Sequence, residues 1–147
     1  MNKMRVVYRC VSTVLFAAVA GVIFYLSHQS AGESQELSDS LISLIISFFR
    51  LHLGSDLVRT LAHFSEYAAL GFLTLNMLYS YRGKISLAAS VIICALYSLS
   101  DEIHQIFIPG RAFQLSDLCI DCLGALLGIV LCLTFIRLYV KISDKRR

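Results

Sequence analysis

Four predominantly apolar stretches, Val6 to Ser27, Val58 to Tyr81, Ile85 to Ile108 and Leu115 to Val140, dictate most of what this chain can fold into. Each reaches the roughly 20 residues that an α-helix needs to cross the hydrocarbon of a bilayer. Backbone groups inside hydrocarbon must be satisfied within the segment, so stretches of this length span as helices. The 147 residues are 57% hydrophobic and 16% charged, with one proline and a mean hydropathy of +0.72, which places the chain outside the range of soluble domains. The sequence therefore predicts an all-α fold, a small polytopic membrane bundle of four transmembrane helices forming a single domain over residues 1–147. From Leu37 to Leu53, Leu, Ile and Phe alternate with Ser38, Asp39, Ser40, Ser43, Ser47 and Arg50. That pattern predicts an amphipathic helix lying in the interface.

Basic residues set the orientation. Lys3, Arg5 and Arg9 precede the first stretch, Arg82 and Lys84 follow the second, and Arg137, Lys141, Lys145, Arg146 and Arg147 end the chain. All three clusters fall on one side of a four-span arrangement. Both termini are thus expected in the cytoplasm of a bacterial cell, with the acidic connection bearing Glu33, Glu36, Asp39 and Asp56 outside. Ala18-Val19-Ala20 has the form of a signal-peptide cleavage site, but apolar residues run unbroken to Leu26, so the first stretch reads as a span. The net charge of +3 comes from these flanks and gives no reason to expect a nucleic-acid partner.

Ionisable residues interrupt the later stretches at helical spacing, and all fall toward the outer side. His63, Glu66 and Tyr67 lie on the second; Asp101, Glu102 and Gln105 on the third; Asp117 and Asp121 on the fourth; Arg111 sits in the loop between. Such groups are expensive in hydrocarbon and face a bundle interior or a wet cavity. Three stripes follow from the spacing: Thr60, His63, Tyr67, Gly71 and Thr74; Cys94, Ser98, Asp101 and Gln105; Asp117, Asp121, Gly124 and Gly128. Each stripe is polar in its outer half and small in its inner half, which predicts a bundle closed below and polar above. Asp101 and Glu102 are neighbours and point about 100° apart, so they cannot both face one partner squarely; Asp101, on the stripe with Gln105, is expected to face inward, and Glu102 to reach a neighbouring helix or the interface.

Three ordered segments carry a family resemblance: Arg59-Thr-Leu-Ala-His63-Phe-Ser-Glu66-Tyr67-Ala-Ala-Leu-Gly71, Asp101-Glu102-Ile-His-Gln105-Ile-Phe-Ile-Pro109-Gly110-Arg111, and Asp117-Leu-Cys-Ile-Asp121-Cys-Leu-Gly124-Ala-Leu-Leu-Gly128. They resemble the motifs of the VanZ-like family across residues 58–131, and Ser27-His-Gln29 is similar to the family's Ser-Ser-Gln. Thr60 stands where the family usually has Lys, and Asp121 where it usually has Asn. The resemblance implies a small helical membrane protein of the cell envelope, named for glycopeptide (teicoplanin) resistance. It also implies action on phosphate-linked head groups of membrane lipids or polyprenyl-linked wall precursors at the outer leaflet.

A phosphate-ester reaction needs donors on the phosphoryl oxygens, a base or nucleophile, and an acid for the leaving group. His63 is the candidate base or nucleophile, with Glu66, Asp101 and Glu102 as the other catalytic candidates. Tyr67, Gln105, Arg111, Asp117 and Asp121 are the candidate substrate-binding residues, Arg111 as a bidentate phosphate clamp. The competing readings are a head-group anchor or an Asp117 partner for Arg111, interhelical glue for His63, and packing for Tyr67. The donors do not follow a recognised zinc spacing, so no cofactor is expected, a divalent metal being the alternative. Cys119 and Cys122 share a helical side, but no second loop pair accompanies them, so the five cysteines read as apolar filler. The rival to an enzyme is a noncatalytic binder of an anionic lipid, a wall precursor or a partner protein.

Overall fold

The computed structural model describes residues 3–37, 39–40 and 54–145. Among them the chain forms helices joined by short turns, with no strand. The main elements are α1 (Lys3–Ser27), α2 (Ser55–Arg82), α3 (Leu87–Gln105) and α4 (Leu115–Lys145). Residues 31–37 are helical as well. Beyond residue 40, the expected interfacial helix falls outside the described residues.

Three of these helices, α1, α3 and α4, are long and apolar enough to cross a membrane. The fourth expected crossing, Val58 to Tyr81, lies within α2, which has 28 residues but is not apolar enough to join them. Its position supplies the reason. It packs against α1, α3 and α4 at once, so Arg59, His63, Glu66 and Asn76 can be carried on faces that meet protein.

Burial is inverted relative to a soluble bundle. Val14, Val22, Leu96, Leu123, Val130 and Phe135 are exposed, while Ser12, Thr74, Ser90, Ser98, Asp101, Glu102, Gln105 and Asp121 are buried. A surface of this kind meets its solvent in lipid. Inside, hydroxyls are satisfied locally: Thr74 Oγ1 donates to the Leu70 carbonyl at 2.7 Å and Ser90 Oγ to that of Ser86 at 3.0 Å. Toward the basic end, Tyr8 donates to Asn76 at 2.6 Å and Arg9 Nε to the Ser80 carbonyl at 3.1 Å, pinning α1 to α2.

The seam between α2 and α4 is built on three glycines. A Cβ on Gly71 would collide with the Ala125 carbonyl, one on Gly124 with that of Phe64, and one on Gly128 with that of Ala68. The backbones therefore touch, as small residues at four-residue spacing permit in membranes. Tyr67, Leu70 and Ala125 pack beside this seam with Ile23 and Cys94, and Leu75, Ile129, Cys132 and Ile136 continue the core below.

Turns place the remaining pieces. Gly83, at φ 64°, caps α2 by donating to the Tyr79 carbonyl at 2.9 Å. The turn after α3 uses Gly110 at φ 76° and docks on the connection after α1, where the Ala31 amide donates to the Pro109 carbonyl at 3.3 Å. Residues 31–37 start with a reciprocal cap: Glu33 Oε2 accepts from the Ser30 amide and hydroxyl, both at 2.8 Å, and Ser30 Oγ accepts from the Glu33 amide at 3.3 Å. The two donors from Ser30 hold the Glu33 carboxyl below its ordinary value. A carboxyl depressed by folding stabilises above its unfolded value and stops doing so as pH falls through its folded one. Amide protection factors over residues 31–37, corrected for the intrinsic pH dependence of exchange, are therefore expected to fall on acidification below the usual carboxylate range, and a Glu33→Gln variant to lose that dependence.

Candidate functional site

One pocket, of about 140 Å³, lies between the C-terminal end of α1 and the N-terminal part of α2. Ile23, Leu26 and Ser27 of α1, Val58, Arg59, Ala62, His63 and Glu66 of α2, Asp101 of α3, and Arg111 line it, with Gln29, Ser34 and Leu37 at the rim. Apolar and ionisable walls thus meet in one space. A ligand with a hydrocarbon tail and a charged head matches that division.

The imidazole is held from behind. His63 Nδ1 meets Asp121 Oδ1 at 3.2 Å, and the other oxygen of Asp121 accepts from Ser98 Oγ at 2.9 Å. Asp121 is fully buried, and its two oxygens meet one partner from α2 and one from α3. A carboxylate on one ring nitrogen fixes the tautomer and leaves Nε2 for chemistry.

Asp101 and Glu102 separate as their geometry requires. Asp101 lines the pocket; its Oδ2 accepts from Tyr67 at 3.4 Å, and among the described residues nothing donates to its buried Oδ1. Glu102 turns away from the pocket and accepts from the Gln114 amide at 2.7 Å, tying the start of α4 to α3. Gln105 is also off the pocket, its Nε2 donating to Ser27 Oγ at 3.4 Å. Tyr67 is wholly buried and meets the site through its hydroxyl on Asp101.

Two guanidinium groups close the mouth. Arg59 pairs with Asp117 at 3.2 Å, which moves Asp117 from direct ligand contact to support. Arg59 thus brings a cation to the place where Thr60 has none. Arg111 Nε donates to the Gln29 carbonyl at 2.9 Å, which leaves its two terminal nitrogens available as a fork. Burial and the nearby Arg59 charge pull the Arg111 value down from its usual one, though a guanidinium stays protonated. The same pocket thus holds two guanidinium groups, one of them already paired with Asp117, beside the carboxyl groups of Glu66 and Asp101.

Of the residues singled out in the sequence, the structure brings His63, Glu66, Asp101 and Arg111 to one pocket and sets Asp121, Tyr67 and Asp117 directly behind them. Glu102 and Gln105 hold neighbouring segments together. The spacing pointed to Ser98 only as part of a stripe, and Gln29 only through a motif; their contacts depend on helix packing that spacing does not reveal.

A pocket with apolar and ionisable walls, set among helices long and apolar enough to cross a membrane, defines a multi-pass membrane protein. Residues 12–137 match the VanZ/LLP1 family, and the chain belongs to that family. Neither the curated proteins nor the solved structures gave a match.

Proposed function

We propose that the protein acts on phosphate-linked head groups of lipids or polyprenyl-linked wall precursors at the outer leaflet of the bacterial cytoplasmic membrane. In this reading α2 is the fourth crossing, both termini are cytoplasmic, and the pocket faces outside. The observation that carries it is that His63, held from behind by Asp121, lines one pocket together with two guanidinium groups, Arg59 and Arg111. The fork of Arg111 and the charge of Arg59 hold the phosphoryl oxygens. Nε2 of His63 removes a proton from the attacking water, and Asp121 stabilises the imidazolium that results. Glu66 or Asp101, both in the pocket wall, starts as the neutral acid and donates its proton to the departing oxygen, and the proton on the His63 imidazolium later restores it through solvent. Ile23, Leu26 and Val58 face the hydrocarbon portion of the ligand. A link to teicoplanin resistance would follow from altered supply of a wall precursor.

The test is incubation of the purified protein with a panel of phospholipids and polyprenyl-phosphate intermediates, read by mass spectrometry. Conversion of one member, lost on His63→Ala, is the expected result. Retention of a lipid with no conversion would replace the enzyme by a binder. No retention by either the wild type or the variant would remove both.

A further inference from the structure

A second cluster stands outside the pocket, where α1 ends against the end of α3. His28 Nδ1 and His104 Nε2 are 3.1 Å apart. The ring centroids are 5.3 Å apart with planes inclined by only 18°. That separation is close to the nitrogen–nitrogen distance plus two ring radii, so the imidazoles meet edge to edge, with in-plane nitrogens facing each other. Phe24 packs on His104 at a centroid distance of 4.9 Å and shields one side. The other side is open: His28 is exposed, His104 is partly so, and the groove beside His28 carries Glu33 and Glu36.

We propose that His28 and His104 form a binding site for a divalent transition-metal ion, Zn²⁺ or Cu²⁺. Neutral imidazole is a preferred ligand for both ions. At a metal–nitrogen distance of about 2.0–2.1 Å, tetrahedral ligands lie roughly 3.3–3.4 Å apart. The two nitrogens need to part by only a few tenths of an ångström, with each ring swinging so that its lone pair meets the ion off the line between them. In the hydrogen bond one ring donates its N–H. On metal binding that proton passes through solvent to the same ring's other nitrogen, leaving two neutral imidazoles with one lone pair each. Water fills the other positions, since among the described residues no third His, Cys, Asp or Glu completes a metal-holding group. The carboxylates of Glu33 and Glu36 act at longer range by drawing cations into the groove.

The placement gives the ion a mechanical role. Ser27 and Gln29, on either side of His28, take the hydrogen bonds of Gln105 and Arg111. An ion shared by His28 and His104 therefore clamps the outer end of α1 to α3 beside the anchor of Arg111.

The experiment uses the full chain in detergent, titrated with Zn²⁺ by calorimetry and with Cu²⁺ by electron paramagnetic resonance. Expected are one ion per chain, a copper signal with two imidazole nitrogens, and an upward shift in Tm with Zn²⁺. His28→Asn and His104→Asn, which keep a hydrogen-bonding side chain, are each expected to weaken binding at least tenfold and to abolish the Tm shift. His63→Asn and His52→Asn are expected to leave both unchanged. Binding unaffected by the first pair, or lost instead through His63 or His52, overturns the proposal. Should a variant fail to fold, a wild-type copper spectrum with fewer than two imidazole nitrogens overturns it independently.

Discussion

Gly128→Leu is expected to prevent α2 and α4 from docking, leaving a chain that enters detergent micelles but melts without a cooperative transition. Overpacking an ordinary core site costs about 1–3 kcal/mol because neighbouring side chains can shift. At Gly128 the obstacle is the Ala68 carbonyl, with the Phe72 amide nitrogen at 2.8 Å from the added Cβ. Backbone inside a helix cannot step aside without breaking that helix, so the loss should exceed this range. Gly21→Leu is the matched control, since nothing lies within 4 Å of a Cβ there. Thermal melts followed by circular dichroism, together with size-exclusion profiles, separate the two. Equal Tm values would mean that the glycine seam is not what joins the helices.

The second large effect is expected at His63. A positioned general base typically contributes 10²–10⁴-fold, and His63→Ala should reduce head-group conversion by about that factor while lipid retention and helical content persist. Asp121→Asn should be milder than Asp121→Ala. An amide oxygen still accepts from His63 Nδ1–H, and Ser98 can turn its hydroxyl to accept from the amide nitrogen, so the ring keeps its tautomer. Arg111→Ala should instead raise KM more than it lowers kcat. Single-turnover assays over a range of lipid concentration read this difference. A His63→Ala protein with wild-type turnover would move the chemistry to the carboxylates.

The stripes read from helical spacing became the inward faces of α2, α3 and α4, because ionisable residues in an apolar helix have few places to point. Gly124 and Gly128 were equally legible, since small residues four apart have a physical use in lipid. The membrane count was less so: α2 carries enough polar residues that hydropathy does not separate a central helix of the bundle from a surface one. Pairing was the least legible. Spacing showed Asp121 on the inner face but not that it would take both His63 and Ser98. It showed Asp101 and Glu102 diverging, with Asp101 on the inward stripe, but not that Glu102 would take the Gln114 amide. His28 and His104 lie 76 positions apart in the chain, and only the docking of the α3 turn onto the α1 connection brings them together.

The glycine seam also means that the two halves of the site are attached in different ways. His63 and Asp121 ride on helices locked backbone to backbone, whereas Arg111 hangs from the Gln29 carbonyl just past the end of α1. Base and guanidinium thus belong to separate mechanical bodies, and a bound phosphate touching both would act as the bolt between them. Strain at α1, far from the reacting atoms, would then be felt as a change in grip before it was felt in the chemistry.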